Sequence, residues 1–154
     1  MTRLSILLAL LPGIVSAQQI WVDQSYVEWC FSQAQSDGAL APCVGKAADA
    51  CQTAPGNDTT IGISQCIQAE TAVWDKFLNE QYQLRRAELA AQNQDLPDQL
   101  RDAQRAWISF RDAECGLQYS LWLDGTIRSI VAANCLLTET AERALELRDL
   151  GKME

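Results

Sequence analysis

Apolar residues recur every three or four positions along most of the chain, and no stretch alternates convincingly with the period of two that marks a strand. The first such stretch follows Asp23, a natural helix cap. It runs from Gln24 to Gln35, with Tyr26, Val27, Cys30 and Phe31 on one face, and ends at Ser36-Asp37-Gly38. A second short helix is expected from about Pro42, whose fixed φ suits a first helical turn, through Val44, Ala47 and Ala48 to Cys51. Between Thr53 and Thr60 the chain is rich in Pro, Gly, Asn, Asp and Thr and reads as a loop.

Three long amphipathic segments follow. Ile63 to Gln92 carries Ile63, Ile67, Val73, Trp74, Phe77, Leu78, Tyr82, Leu84 and Leu89 at helical spacing. Asn93 to Pro97 interrupts the pattern, which resumes with Leu100, Ala103, Trp107, Phe110, Leu117 and Leu121 until Asp124-Gly125. The last segment starts with Thr126 as cap and carries Ile127, Ile130, Val131, Leu137, Ala141, Ala144 and Leu145 to about Asp149, with Gly151 beyond. Short connections force consecutive helices to run antiparallel. The expected fold is all-α: an antiparallel three-helix unit over 63–149 with a short N-terminal helical hairpin, stapled by disulfides.

The amino end changes the picture of where this domain works. Arg3, the apolar run Leu4 to Leu11 and the small residues Val15-Ser16-Ala17 read as a secretory signal over 1–17, leaving a single domain over 18–154. No later run is apolar enough to span a membrane, and no Cys follows the cleavage site to take a lipid, so the expected location is periplasmic or secreted. All six cysteines, Cys30, Cys43, Cys51, Cys66, Cys115 and Cys135, lie beyond the signal, an even set that suits disulfides in an exported chain. Each neighbouring pair brackets a turn signal: Ser36-Asp37-Gly38, Pro55-Gly56-Asn57-Asp58 and Asp124-Gly125. Residues equidistant from a turn face one another when its flanks are antiparallel. Sequential pairing, Cys30–Cys43, Cys51–Cys66 and Cys115–Cys135, is therefore expected among the alternatives.

Charge and missing residue types narrow the chemistry. The net charge of −8 becomes −9 once Arg3 is removed, which disfavours nucleic acid and anionic lipid and favours a basic partner. The chain has no histidine, so His-based triads and His-metal sites are unavailable, and no CxxC pair suggests zinc; neither metal nor cofactor is expected. Carboxylate pairs such as Asp112 with Glu114, Glu139 with Glu142, or Asp75 with an acid across the hairpin are the remaining acid-base option. Solvated faces and ion pairs account for such carboxylates more simply, and no catalytic residue is assigned.

The densest cluster is AQRAWISFRDAEC, residues 103–115. On a helix, Ala103, Trp107, Phe110, Cys115 and Leu117 share a broad stripe, while Arg105, Ser109 and Asp112 share the other side. Trp107 is expected to be a core anchor. Arg111, at the stripe's edge, is expected to pack its stem on aromatics and reach an acid on a neighbouring helix, such as Glu70, Asp75 or Glu142; Arg105 and Arg111 could otherwise serve a partner. Trp74, Leu78 and Tyr82 form a second stripe, with Asn79 open to a hydrogen bond or to the surface. Asn57-Asp58-Thr59 matches a glycosylation sequon.

Cys51 and Cys66, then WDKFLNEQYQLRRAEL (74–89), LRDAQRAWISFRDAEC (100–115), a Cys about twenty residues on, and TAERALELRDL (140–150) resemble the LprI-type lysozyme inhibitor family over roughly 43–150. The resemblance implies a small disulfide-bonded helical domain in the bacterial envelope, with lysozyme inhibition as the associated activity and a basic lysozyme as the partner. The alternative is a periplasmic envelope interaction protein that never meets lysozyme. A protrusion able to enter an enzyme cleft must come from a turn, and there are two candidates. One is Thr53 to Thr60, with Asn57 and Asp58. The other is Leu123 to Arg128, with Asp124, Gly125, Thr126 and the cation Arg128, which could pair with a catalytic carboxylate.

Overall fold

The computed structural model describes residues 20–35 and 39–152. The expected leader, 1–17, and the turn Ser36-Asp37-Gly38 lie outside the described residues. Among those described, the secondary structure is helical throughout: α1 (Gln24–Gln33), α2 (Lys46–Gln52), α3 (Thr60–Gln92), α4 (Leu96–Leu121) and α5 (Arg128–Asp149).

Local chemistry sets the boundaries. The Asp23 carboxylate accepts from the Tyr26 N–H (3.2 Å) to start α1. The Thr59 hydroxyl accepts from the Gly62 N–H (3.1 Å), so α3 begins three residues before the expected Ile63. Pro42 lies in the turn that precedes α2 rather than in its first helical turn. The α2 cap is Gly45, whose φ of +88° a side chain would strain. Between α3 and α4 the Asn93 side-chain oxygen accepts from the Asp95 N–H (2.9 Å), and Pro97 lies in the first turn of α4, where its missing N–H costs nothing. Thr126 is not the α5 cap. The turn between α4 and α5 continues with three-residue hydrogen bonds, Gly125 N–H to Trp122 O (2.9 Å) and Arg128 N–H to Gly125 O (3.2 Å), which delays the helix to Arg128.

The most extensive packing is α3 on α5, and α4 lies against both. Contacts between α4 and α5 run in opposite directions along the two helices: Cys115 bonds Cys135, while Gln104 accepts from Arg143 Nε (2.9 Å). The core between the helices contains Ile67, Trp74, Phe77, Leu78, Leu100, Leu137, Ala141, Ala144, Leu145 and Leu147. The α3 stripe is as the spacing predicts at Trp74 and Leu78, with Tyr82 partly buried, whereas Leu84 is 46% exposed.

The disulfides are Cys30–Cys43, Cys51–Cys66 and Cys115–Cys135, the sequential scheme. They join α1 to the segment before α2, α2 to α3, and α4 to α5. Each closes a loop of 13 to 20 residues, a constraint of about 3 kcal/mol on the unfolded chain in the loop-entropy account. The N-terminal element is also held from the far end of the chain. Arg148, in the last turn of α5, donates to the carbonyls of Phe31 and Ala34 and stacks its guanidinium over the Phe31 ring (5.3 Å). A cation thereby meets the carbonyl-rich end of α1.

Candidate functional site

Glu70 is the buried charged group that organises the small helices. It is 1% exposed. Its carboxylate accepts from the Gly45 N–H (2.7 Å), the Ala48 N–H (2.7 Å) and the Trp74 indole N–H (3.2 Å). An α3 side chain thus supplies the cap that α2 lacks, because Gly45 has no side chain with which to accept the orphan amides. Glu70 is therefore not the acid that Arg111 reaches. Arg111 instead bonds its own neighbour Asp112 (2.7 Å) and lays its guanidinium over the Trp107 ring at 5.0 Å.

The α4 stripe is rotated from the expected one. The face turned toward the domain carries Leu100, Gln104, Trp107, Arg111 and Cys115, each buried or half-buried. Ala103 is exposed, and so are Phe110 (56%) and Leu117 (54%). Trp107 packs against the core from the edge, under two guanidiniums, those of Arg111 and Arg143, rather than as a fully enclosed anchor. Arg105 is exposed on the outer side.

The two candidate loops differ in what they offer. In 53–59, Asn57 is 1% exposed: its amide donates to the Cys51 carbonyl (3.0 Å) and holds the loop onto α2. Burial removes Asn57 as an outward contact and also disfavours glycosylation of the folded chain at the sequon. Asp58 beside it is exposed. In the α4–α5 turn, Asp124, Gly125 and Thr126 are exposed, along with Leu121 (69%), Trp122 and Leu123 (76%). Leu123 holds a positive φ of 41°, a strained conformation for a branched side chain. A Cβ at Gly125 would meet the Trp122 carbonyl oxygen at 3.2 Å, a tight contact that favours glycine there. Arg128 is half-buried; it donates to the Leu123 carbonyl (2.7 Å) and stacks on Tyr119 (4.9 Å), bracing the tip from within.

Three of the candidate acids are engaged by side chains on their own helix. Asp112 is engaged by Arg111, Glu114 accepts from the Gln118 amide (3.0 Å), and Asp75 accepts from Asn79 (3.0 Å). Partial burial, and then neighbouring glutamates, raise the pKa of Glu139 and of Glu142 from the ordinary carboxylate value. Three shallow recesses, of about 320, 270 and 500 Å³, lie around α1, α2 and the N-terminal half of α3, and none is lined by any of these five acids. Among the described residues, no group of three or more His, Cys, Asp or Glu is arranged to hold a metal ion, and no helix is long and apolar enough to cross a membrane.

Residues 51–147, from the second disulfide through the three-helix unit, match the model of the family described as lysozyme inhibitor LprI. The chain belongs to the LprI family. That segment contains Glu70, Trp74, the α4 stripe and the Cys115–Cys135 turn, whereas α1 and the Cys30–Cys43 bridge precede it. The chain is similar to an uncharacterised protein, R02472, of Rhizobium meliloti (strain 1021): 31% identical over 121 residues, 65% of this chain and 87% of that protein. It is also similar to an uncharacterised 17.7 kDa protein encoded in the puhA 5′ region of Rhodobacter capsulatus, 26% identical over 136 residues, 80% of this chain and 83% of that one. No solved structure gives a significant match.

Glu70 as a buried cap escaped the sequence reading, because an acid among helical polar positions looks like a surface charge. A signal was present: Gly45 opens α2 with no capping side chain, so its orphan amides required an acceptor from elsewhere.

Proposed function

We propose that the protein is an exported binding module that inhibits a lysozyme-type muramidase, acting in an oxidising compartment outside the cytoplasm. The LprI match over 51–147 carries this reading. Three disulfides suit an exported chain, and a net charge of −8 suits a basic enzyme as partner, whose encounter it would accelerate. Its action is by binding, without cofactor or covalent chemistry.

The contact is assigned to the α4–α5 turn. Support comes from its exposure, from the Cys115–Cys135 bridge near its base, and from the Arg128 brace that holds a strained Leu123 in place, all of which limit the ordering cost on binding. Asp124, Gly125 and Thr126 line the tip, and Arg128 either pairs with an enzyme carboxylate or holds the loop in its binding shape. Asp58 on the other loop is the secondary contact, with Asn57 acting through loop shape alone.

The test is a cell-wall lysis assay with purified, oxidised protein added to lysozyme. Arg128→Ala is expected to weaken inhibition at least tenfold, about 1.4 kcal/mol, with the thermal midpoint lowered only slightly, because the brace it removes is local to an exposed tip. Arg128→Lys separates the two roles: rescue points to charge pairing, and failure to rescue points to the bracing fork. Full inhibition by Arg128→Ala, with loss on altering Asp58, moves the contact to the first loop.

A second reading, an envelope interaction protein without muramidase activity, is favoured by the uncovered apolar face of α4. Wild-type protein that fails to inhibit would leave that reading standing.

A further inference from the structure

We infer that the outer face of α4 is a self-association surface, on which a second copy of this chain packs antiparallel about a twofold axis between Ala113 and Glu114. The face is apolar and uncovered: Ala103, Ala106, Phe110, Ala113, Leu117 and Leu121 are all exposed, with Phe110, Leu117 and Leu121 at 56%, 54% and 69%. Their spacing is regular. Ala103, Phe110 and Leu117 repeat every seven residues, as do Ala106 and Ala113, the arrangement of a two-helix seam rather than of scattered surface residues.

The seam is self-complementary in size. Antiparallel pairing about that axis sets Phe110 against the Leu117 position of the second copy and Ala106 against the Leu121 position, so a bulky side chain meets a smaller one at each end. Ala113 lies beside the axis, where a small side chain lets the helices approach to about 8 Å. One edge of the stripe carries Asp102, Ser109 and Gly116, small or short side chains that leave the approach open.

The area fits a weak but specific dimer. A half-exposed to two-thirds-exposed Leu or Phe contributes roughly 100–120 Å², and the alanines and the flanking stems bring the face to about 600 Å² per copy. The total, about 1,200 Å², is at the lower edge of stable interfaces, so association is expected at micromolar concentrations. Electrostatics give the dimer a signature. The axis brings the two Glu114 carboxylates together in a chain that is already acidic, so salt strengthens the pairing by screening. A complex with a basic enzyme weakens with salt.

Sedimentation of the full oxidised chain across about 1–200 μM tests this, alongside Leu117→Glu and Phe110→Glu, which alter exposed positions and leave the core intact. The expected result is a monomer–dimer equilibrium in the wild type, tighter in 0.5 M than in 0.05 M NaCl, with each variant monomeric and unchanged in circular dichroism. An Ala113→Cys variant is expected to cross-link to itself under mild oxidation, while Ser109→Cys is not. A wild type that stays monomeric throughout the range, or a dimer that survives both substitutions, overturns the proposal. So does a monomeric wild type whose muramidase inhibition is lost in Leu117→Glu, because the face would then belong to the enzyme contact.

Discussion

Replacing Glu70 by alanine removes three acceptor contacts at once from a site with 1% exposure. Two are charge-assisted bonds to the backbone N–H groups of Gly45 and Ala48, each 2.7 Å, worth about 1.5–3 kcal/mol apiece. The third, from the Trp74 indole at 3.2 Å, adds about 1 kcal/mol. The expected loss is about 4–7 kcal/mol, comparable with the whole stability of a marginal domain. Glu70→Gln keeps one carbonyl oxygen but turns an NH₂ group toward one of the two amides, so its loss should be about half as large. Because Cys51–Cys66 still tethers α2 to α3, the damage should concentrate in α2. Urea unfolding followed by far-UV circular dichroism, with disulfides intact, measures the total. Hydrogen exchange at the Ala48 amide measures the local part. Loss below about 1 kcal/mol in Glu70→Ala, or an Ala48 amide as protected as in the wild type, would refute the capping argument.

Trp107→Ala should cost about 2–3 kcal/mol in the same assay, less than the 3–5 of a fully enclosed indole, whereas Phe110→Ala should cost under about 0.5 kcal/mol; the reverse order would restore the stripe expected from sequence. Arg148→Ala should remove about 2 kcal/mol and speed exchange of the α1 amides before those of α3, because the Phe31 and Ala34 carbonyls lose their cation. The double variant Glu139→Gln, Glu142→Gln addresses pH. Both acids have folded pKa values raised from 4.5, so ionising them disfavours the folded state, and a penalty absent well below pH 4.5 grows as pH rises through the raised values. The variant should therefore melt slightly higher than wild type at pH 7 and equally at about pH 3.5, by a fraction of a kcal/mol given the solvent screening; a larger gain at the acid end would contradict the sign.

The helices were legible because their apolar period persists over many turns and because Asp23 and Asn93 are breaks with a known local chemistry. The disulfides were legible for a related reason: helical hairpins place residues equidistant from a turn side by side, and Cys115 and Cys135 flank Asp124-Gly125 symmetrically. The orientation of α4 was not. Trp107 and Phe110 lie only three residues apart, and periodicity reports that both are apolar without saying which one the rest of the chain covers. The groove offered by α3 and α5 admits the Leu100–Gln104–Trp107–Arg111–Cys115 side and leaves Phe110 and Leu117 outside. Polar residues hid their roles in the same way. Asn57 was expected among the contacts of a protruding loop, yet its amide turns inward to the Cys51 carbonyl. Arg128 looked like a free cation, yet the last turn of α4 supplies Tyr119 and the tip supplies the Leu123 carbonyl to hold it. These are long-range facts about which surface meets which, and a single sequence carries them only as unsatisfied requirements.

The most direct test of the account is titration of a lysozyme-type muramidase with the purified, oxidised chain, following cell-wall lysis by turbidity and binding by calorimetry at two salt concentrations. The account predicts saturable inhibition with a Kd in the micromolar range or tighter, weakening as salt rises. Unchanged lysis with no binding heat, at protein concentrations of tens of micromolar and at low salt, against both host and bacterial muramidases, would contradict it.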